Sequence, residues 1–471
     1  MMPGRATVST VVDRNIVLVV CGVPFLMVML DGTIVNVALP SIAKDLDASL
    51  QSLQWIVSAY ILVIASFAVM AGMLADRFGR RRILVLGVVV FTLGSILCSL
   101  TPDESWLIAA RAFQAIGGAL ISPSALANVT NVFTDGPSRA KALAWWSVIA
   151  SVGLAIGPLL GGILVQSFGW RSVFWVNVLP GIAAVILLLW KVPESRAATV
   201  KPFDPVGQVL LVAFLGTLTF VIIEGTSLGW ISPLIIGGTA ICVTSLIVLI
   251  VYERPKPEAL IPFALFRSRA FTTAIATLVL GVLGSAAVMF TASLYLQNYR
   301  GLSPLQAGLF MLPLAAASMV TALISGRLVA AGRARAVLIV AGALIALAGV
   351  AFWLTADAVI WLMLIPFLVM GTAFGALNDP VSVIAVSELP DEKAGLAASL
   401  ISMGRQVGQV LGVALAGALL SVGLGADLSS DFDKAATSVW VLLIAAGIAV
   451  LIVNLLPQKT APDALPVHST H

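Results

Sequence analysis

Apolar residues occupy this chain in long, almost unbroken blocks, and polar positions fall between the blocks or stand singly inside them. No charged residue occurs from Leu53 to Met73, and none from Ile83 to Leu100. A helix needs about 20 apolar residues to cross a bilayer core. Fourteen blocks approach or exceed that length: roughly 15–39, 53–73, 83–101, 106–128, 141–166, 172–191, 205–224, 231–252, 271–296, 305–325, 336–355, 358–386, 395–421 and 436–456. Barrel strands are about ten residues long and alternate apolar with polar; these blocks are longer and apolar throughout. Only helices and closed barrels satisfy their backbone in lipid. The pattern therefore predicts an all-α polytopic membrane protein of 14 helices. The connections are mostly short, so consecutive helices are expected to lie antiparallel.

Composition agrees. The 471 residues are 60% hydrophobic and 10% charged, against about 25% charged in a soluble domain, and the mean hydropathy is +1.08. The net charge of +4 is scattered over short loops, with no clustered basic face for nucleic acid. Cys21, Cys98 and Cys242 lie in apolar blocks and read as small buried hydrophobes, not as a disulfide framework. Both histidines, His468 and His471, are in the polar tail, so no histidine metal site is expected in the core. The first block contains Asp31 and lacks a small-residue cleavage site after it, so it is read as a retained helix. With the N-terminus inside, 20 of the 26 Lys and Arg fall in internal loops and tails and 4 in external loops, while Arg111 and Arg405 lie within blocks. That bias places both termini in the cytoplasm.

The most informative connection follows the second block. Gly72 to Arg82 reads G-M-L-A-D-R-F-G-R-R-R. Gly72 and Gly79 let two helix ends approach closely. Asp76, set among Arg77, Arg80 and Arg81, is an acid able to fasten two helices in one conformation and release them in another. Plain topology accounts for the arginines but not for the glycines or Asp76. Ser325 to Arg335 follows the second of the last six blocks and repeats the pattern: glycine, leucine two residues on, a later glycine, then arginines, without the acid. Duplicated six-helix halves, with a site between them near mid-membrane, build many secondary transporters. The expected organisation is a six-helix bundle over 1–200, two inserted helices over 201–256, a second six-helix bundle over 257–460, and a cytoplasmic tail over 461–471.

Ionisable groups inside the blocks mark candidate chemistry, because a charge in hydrocarbon must face water, pair or take up a proton. Asp31 reads either as a proton carrier or cation contact, or as a carboxylate near the outer helix end that reaches water. Glu224 closes the first inserted block, with Gly225 and the interfacial Trp230 after it, and reads either as a proton or substrate group or as a solvated helix end. Asp379 precedes Pro380, which frees a backbone carbonyl, and is a candidate cavity residue. Arg405 reads as a clamp between helices, with Asp379 as a partner. Trp55, Tyr60, Trp145, Trp146 and Phe290 are candidates for an aromatic cavity that holds lipophilic cations, against the simpler reading of packing. No G-x-x-x-x-G-K-[ST] loop is present, so ATP drive is not expected. The short loops hold no usable catalytic cluster for a membrane enzyme, and no ring of carbonyls or charges suggests a channel filter.

In order along the chain, these motifs resemble the major facilitator superfamily, and within it the fourteen-helix drug:proton antiporters. Gly72 to Arg82 is similar to the family's loop between helices 2 and 3. Arg111, Gln114, Gly117, Gly118 and Pro123 resemble its helix 4 motif, with Ala115 where glycine is usual. Gly153, Gly157, Pro158, Gly161 and Gly162 resemble the helix 5 motif of antiporters. Asp31, Thr33, Asn36 and Pro40 resemble the helix 1 signature of the fourteen-helix branch, which Leu302 to Gly308 and Arg405 to Gly408 also fit, with Ser402 in place of an asparagine. Glu224, Gly225, Gly229 and Trp230 look like the methylenomycin-resistance type of exporter.

The resemblance implies a proton-coupled exporter of small lipophilic compounds in the bacterial cell membrane, monomeric and without a cofactor. Proton coupling then falls to Asp31, Arg111 and Glu224. The substrate cavity takes Asp31, Asn36, Tyr60, Gln114, Asp379 and Arg405. Gly72, Asp76, Arg77, Gly79, Arg80 and Arg81 form a cytoplasmic latch that stabilises an outward-open state. Arg111 retains a second reading as a hydrogen-bond clamp, and the helix 5 glycines a second reading as generic close packing. Export of an endogenous metabolite and nutrient symport are the alternatives on the same fold.

Overall fold

The structure, a computed structural model, describes residues 14–197, 204–256, 259, 261–356, 358–387, 394–424 and 432–456. The expected tail over 461–471, with both histidines, lies outside the described residues. Among the described residues 14 helices are long and apolar enough to cross a membrane. They are α1 (Arg14–Leu46), α2 (Leu50–Phe78), α3 (Arg80–Ser99), α4 (Glu104–Val132), α5 (Gly136–Phe168), α6 (Ser172–Lys191), α7 (Pro205–Leu228), α8 (Pro233–Glu253), α9 (Arg269–Tyr299), α10 (Pro304–Ala330), α11 (Ala334–Thr355), α12 (Ile360–Ala385), α13 (Leu400–Gly423) and α14 (Lys434–Leu455).

Short polar side chains start many of them. Ser49, Asp103, Asp135, Asp204, Ser232, Ser268 and Ser303 each accept a hydrogen bond from a free N–H of the first turn. The sequence pattern ends the first helix near residue 39, yet α1 continues through Pro40 to Leu46. Its last turn is held from outside: Asp45 accepts from the Trp170 indole at 2.9 Å and from Arg171 at 2.6 Å. The extension puts Asp31 near the middle of α1, not near its outer end.

Helix packing reproduces the repeat seen in the sequence. In the first six helices α2 and α3 pack on α4, α1 packs on α5, and α6 packs on α1 and α3. Each of these pairs recurs in the last six with both numbers raised by eight. Gly72 of α2 faces Pro123 of α4, and Gly326 of α10 faces Asp379, beside Pro380 of α12. The halves meet mainly along two seams, α5 with α10 and α2 with α13, which the same shift exchanges. The inserted α7 lies against both α2 and α13, and α8 packs on α7.

One end of the bundle carries Gly79 and the arginine run. Hydrogen bonds between the two halves among the described residues lie toward the opposite end. Gln54 donates to the Ala414 carbonyl at 2.9 Å, Gln297 donates to the Val37 carbonyl at 2.9 Å, and the Leu305 N–H donates to Gln166 at 3.4 Å. A Cβ on Gly162 would stand 2.6 Å from the Pro304 carbonyl oxygen, and one on Gly308 would stand 2.4 Å from that of Pro158. Backbone meets backbone there, so only glycine fits. The halves are thus closed against each other at the end opposite the arginines.

Candidate functional site

A buried polar cluster lies among α1, α3, α4 and α6. Asp31 of α1 is fully buried, which removes the reading of a carboxylate that reaches water. Its Oδ2 pairs with Arg111 Nη1 of α4. Its Oδ1 accepts from Gln114 Nε2 at 2.9 Å and from Asn177 Nδ2 at 3.1 Å. Arg111 is 1% exposed. It also donates to Gln114 Oε1 at 2.7 Å and to the Ile56 carbonyl at 3.3 Å, and its guanidinium lies 4.0 Å from the Tyr60 ring centroid. Gln114 is oriented by its neighbours: arginine only donates and an ionised carboxylate only accepts. Its amide nitrogen also donates to Ser95 at 2.8 Å.

Helix 4 places Arg111 and Gln114 on one face because they are three residues apart. Glycines bring the neighbouring helices within reach: a Cβ on Gly94 of α3 would stand 2.5 Å from the Gln114 Cα, and one on Gly117 of α4 would stand 2.3 Å from the Phe91 nitrogen. Asn177 was not found from the sequence. Span α6 is broken between Ser172–Trp175 and Val178–Lys191. Pro180, lacking an N–H, fits only the first turn of the second piece. The break turns Asn177 onto Asp31. A lone asparagine three residues before a proline in an apolar block was the available signal.

The glycines of α5 hold a second contact. A Cβ on Gly153, Gly157 or Gly161 would meet Met29, Thr33 or Ile34 of α1 at 2.8, 1.9 and 2.8 Å. These three line the α1 side, whereas Gly162 and Pro158 face α10 of the other half. The motif therefore joins α5 both to the helix that bears Asp31 and to the opposite half.

At the arginine-rich end, Arg80 donates to Asp76 Oδ1 through Nε at 3.0 Å and Nη2 at 2.9 Å. Gly79 has φ +117° and leaves no room for a Cβ, which would stand 2.7 Å from Glu194. Glu194 accepts the Arg81 and Arg82 N–H groups at 3.1 and 3.2 Å, and so caps the start of α3. The Ser195 carbonyl takes the Arg80 N–H at 2.9 Å, and the Ala197 N–H returns to the Asp76 carbonyl at 3.2 Å. Arg77 lies over its neighbour Phe78. Glu194 was missed in the sequence, where an acid after the sixth block stood out only against basic surroundings. Every one of these contacts lies within the first half. In this arrangement the loop fastens α2, α3 and the segment after α6 to one another, not one half to the other.

The remaining candidates are dispersed. Asn36 is buried and bonds back to Thr33 and Gly32 of its own helix. Glu224 accepts from the Trp55 indole at 2.8 Å and from Ser227 at 2.9 Å. Asp379 and Arg405 form no ion pair or hydrogen bond with each other among the described residues: Asp379 faces Gly326 of α10, whereas the Arg405 neighbours Gly404 and Gly408 pack on α9. The five aromatic candidates share no wall. Trp55 holds Glu224, Tyr60 covers Arg111, Trp146 stacks on Phe25 at 4.2 Å, Phe290 is buried and Trp145 is exposed.

Known proteins match along most of the chain. The family model described as Major Facilitator Superfamily matches residues 24–413. The multidrug resistance protein Stp of Mycobacterium tuberculosis is 35% identical over 89% of this chain and 78% of its own length. The methylenomycin A resistance protein of Streptomyces coelicolor is 33% identical over 91% of this chain and 88% of its own. The tetracenomycin C resistance and export protein of Streptomyces glaucescens is 33% identical over 87% and 76%. Among solved structures, a bacterial homolog of the human lysosomal transporter Spinster superposes with a TM-score of 0.69 at 17% identity, over 94% of this chain and 97% of that one. That likeness bears on the fold alone.

Proposed function

The chain belongs to the Major Facilitator Superfamily, and from that premise we propose that it is a proton-coupled exporter of small lipophilic drugs or antibiotics. The names of its relatives, with resistance to several drugs and export among them, support the cargo class and the direction. The arginine-rich end and both chain termini then face the cytoplasm of a bacterial cell, an orientation that the distribution of Lys and Arg supports.

The observation that carries the coupling is the company Asp31 keeps. Arg111, Gln114 and Asn177 all donate to its carboxylate. A proton placed on Asp31 would cancel the charge that holds Arg111, and it would itself need an acceptor where three side chains aim donors, so the cluster would rearrange to accept it. A charged Asp31 therefore matches the present closure, and a protonated one matches a different packing of α1, α4 and α6. A ligand shifts a two-state equilibrium only by its differential affinity for the two states; here the ligand is the proton. Uptake from outside and release inside would rock the halves about the central cavity and carry cargo the other way. The α5 glycines, which touch α1 and α10, would pass the change in α1 to the other half.

The test is expression in cells stripped of their own pumps, with retention of dyes and antibiotics followed with and without an uncoupler. Expression is expected to lower retention and the uncoupler to restore it. Retention unaffected by expression across a broad panel overturns the reading.

A further inference from the structure

The inserted α7 touches both halves, but its two attachments differ in kind. Toward the first half it is fastened near both ends. Near the arginine-rich end, Gln208 Nε2 donates to the Ser66 carbonyl of α2. Near the other end, the Trp55 indole of α2 donates to Glu224 at 2.8 Å. Gln208 is buried, so parting α7 from α2 would strand its amide away from water, and it would separate the half-buried Trp55 N–H from the Glu224 carboxylate. Gln208 Oε1 is already without a partner.

Toward the second half, α7 makes one hydrogen bond among the described residues. It joins Ser421 Oγ of α13 to Thr226 Oγ1 at 3.1 Å, at the end opposite the arginines. Both hydroxyls have acceptors in their own helices, Ala418 at 2.9 Å and Ile223 at 3.4 Å. Their separation leaves no polar group unmet. Toward the middle of the membrane α7, α13 and α2 meet around an apolar crevice, with Leu215 and Leu218 of α7, Val407 and Leu411 of α13, and Leu62 and Ala65 of α2 on its walls. Thr219, also on the α7 wall, spends its hydroxyl on the Leu215 carbonyl at 2.8 Å. The α7–α13 face there can part and reseal without a hydrogen-bond penalty.

We infer that the inserted pair travels as a rigid passenger of the first half, and that the α7–α13 face is a seam that opens in each cycle. Ser421 and Thr226 are its clasp, which adds to the closure of the halves at the end opposite the arginines. Glu224 and Gln208 are positioning residues that keep α7 on α2. The device is one-sided: the α2–α13 seam carries α7, while the α5–α10 seam is backbone against backbone with no inserted helix. The inference rests on the alternating-access reading above, and its spin-label test on the proton as the driver, but not on the cargo.

Two double-cysteine variants of the full chain separate the attachments. Oxidative cross-linking of Thr226→Cys with Ser421→Cys is expected to cut transport at least about tenfold, with recovery on reduction. Cross-linking of Ser66→Cys with Gln208→Cys is expected to leave transport within about twofold of the reduced form. Transport that survives the first cross-link, or stops with the second, overturns the inference. A readout without cargo keeps it apart from the drug reading. Spin labels at the exposed Ile241 of α8, Leu86 of α3 and Leu347 of α11 are measured pairwise in nanodiscs at about pH 5 and about pH 8. The Ile241–Leu86 distance is expected to stay single and the Ile241–Leu347 distance to take two values. A moving Ile241–Leu86 distance, or two unchanging ones, overturns the inference even if drugs are exported.

Discussion

Asp31 and Arg111 lie 80 residues apart in sequence and form an ion pair with almost no solvent exposure. Removing one partner of a buried pair leaves an uncompensated charge and costs about 3–5 kcal/mol, whereas replacing both with neutral groups is often tolerated. Asp31→Asn and Arg111→Gln should each lower thermal stability in detergent, and the double variant should regain much of that loss. Transport driven by a pH gradient should be absent from all three. A double variant that regains coupling would return the pair to a purely structural clamp. Asn177→Ala leaves Asp31 its bonds to Arg111 and Gln114, so the expected result is normal membrane insertion with transport lowered several-fold. Normal transport in Asn177→Ala removes Asn177 from the cluster's work. Asp31 and Arg111 were legible in the sequence because charges are conspicuous in apolar blocks, whereas Gln114 entered through the resemblance of the helix 4 motif. Asn177 was not legible, because its direction depends on a helix break that hydrophobic pattern does not encode.

Among the helices, α5 makes the sharpest prediction. Its Gly162 meets α10 at a separation that admits no Cβ, so Gly162→Val should force the halves apart at that end. Thiol labelling of a cysteine placed at Val37, which carries one of the contacts between halves, should rise, and transport should fall about tenfold. Unchanged labelling contradicts the assigned seam. The inserted hairpin offers a test by pH. Burial alone would raise the Asp204 carboxyl, but hydrogen bonds with Glu253, Lys256 and the Gly207 N–H hold it at about 2, below its ordinary 3.8. A carboxyl held low contributes its stability fully above about pH 4 and loses it as pH falls through about 2. Acidification from about pH 5 to about pH 2 should therefore cost the parent more thermal stability than it costs Asp204→Asn; equal losses would contradict the hydrogen-bond cluster. Helix number was legible because each block is long and uniformly apolar. Helix ends were less so: the Asp45 contacts that extend α1 past Pro40 come from Trp170 and Arg171, far along the chain.

For the whole molecule, the repeat visible in two loops of sequence expands into a packing pattern in which neighbours recur eight helices later. The inserted pair breaks that symmetry by lying over one seam only. A loop with an acid among arginines was legible as a fastening. Its partner Glu194 and the confinement of its contacts to one half were not, because both depend on where the end of α6 returns. The central claim is that proton entry and cargo exit are one process, with Asp31 as the shared hinge. Purified protein in vesicles, under an imposed pH difference and with a cargo from the efflux panel, tests it most directly when cargo and proton fluxes are recorded together. The account predicts that cargo moves against the proton flow, that dissipating the pH difference stops it, and that Asp31→Asn loses both fluxes. Cargo flux that ignores the pH difference, or that persists unchanged in Asp31→Asn, would contradict it.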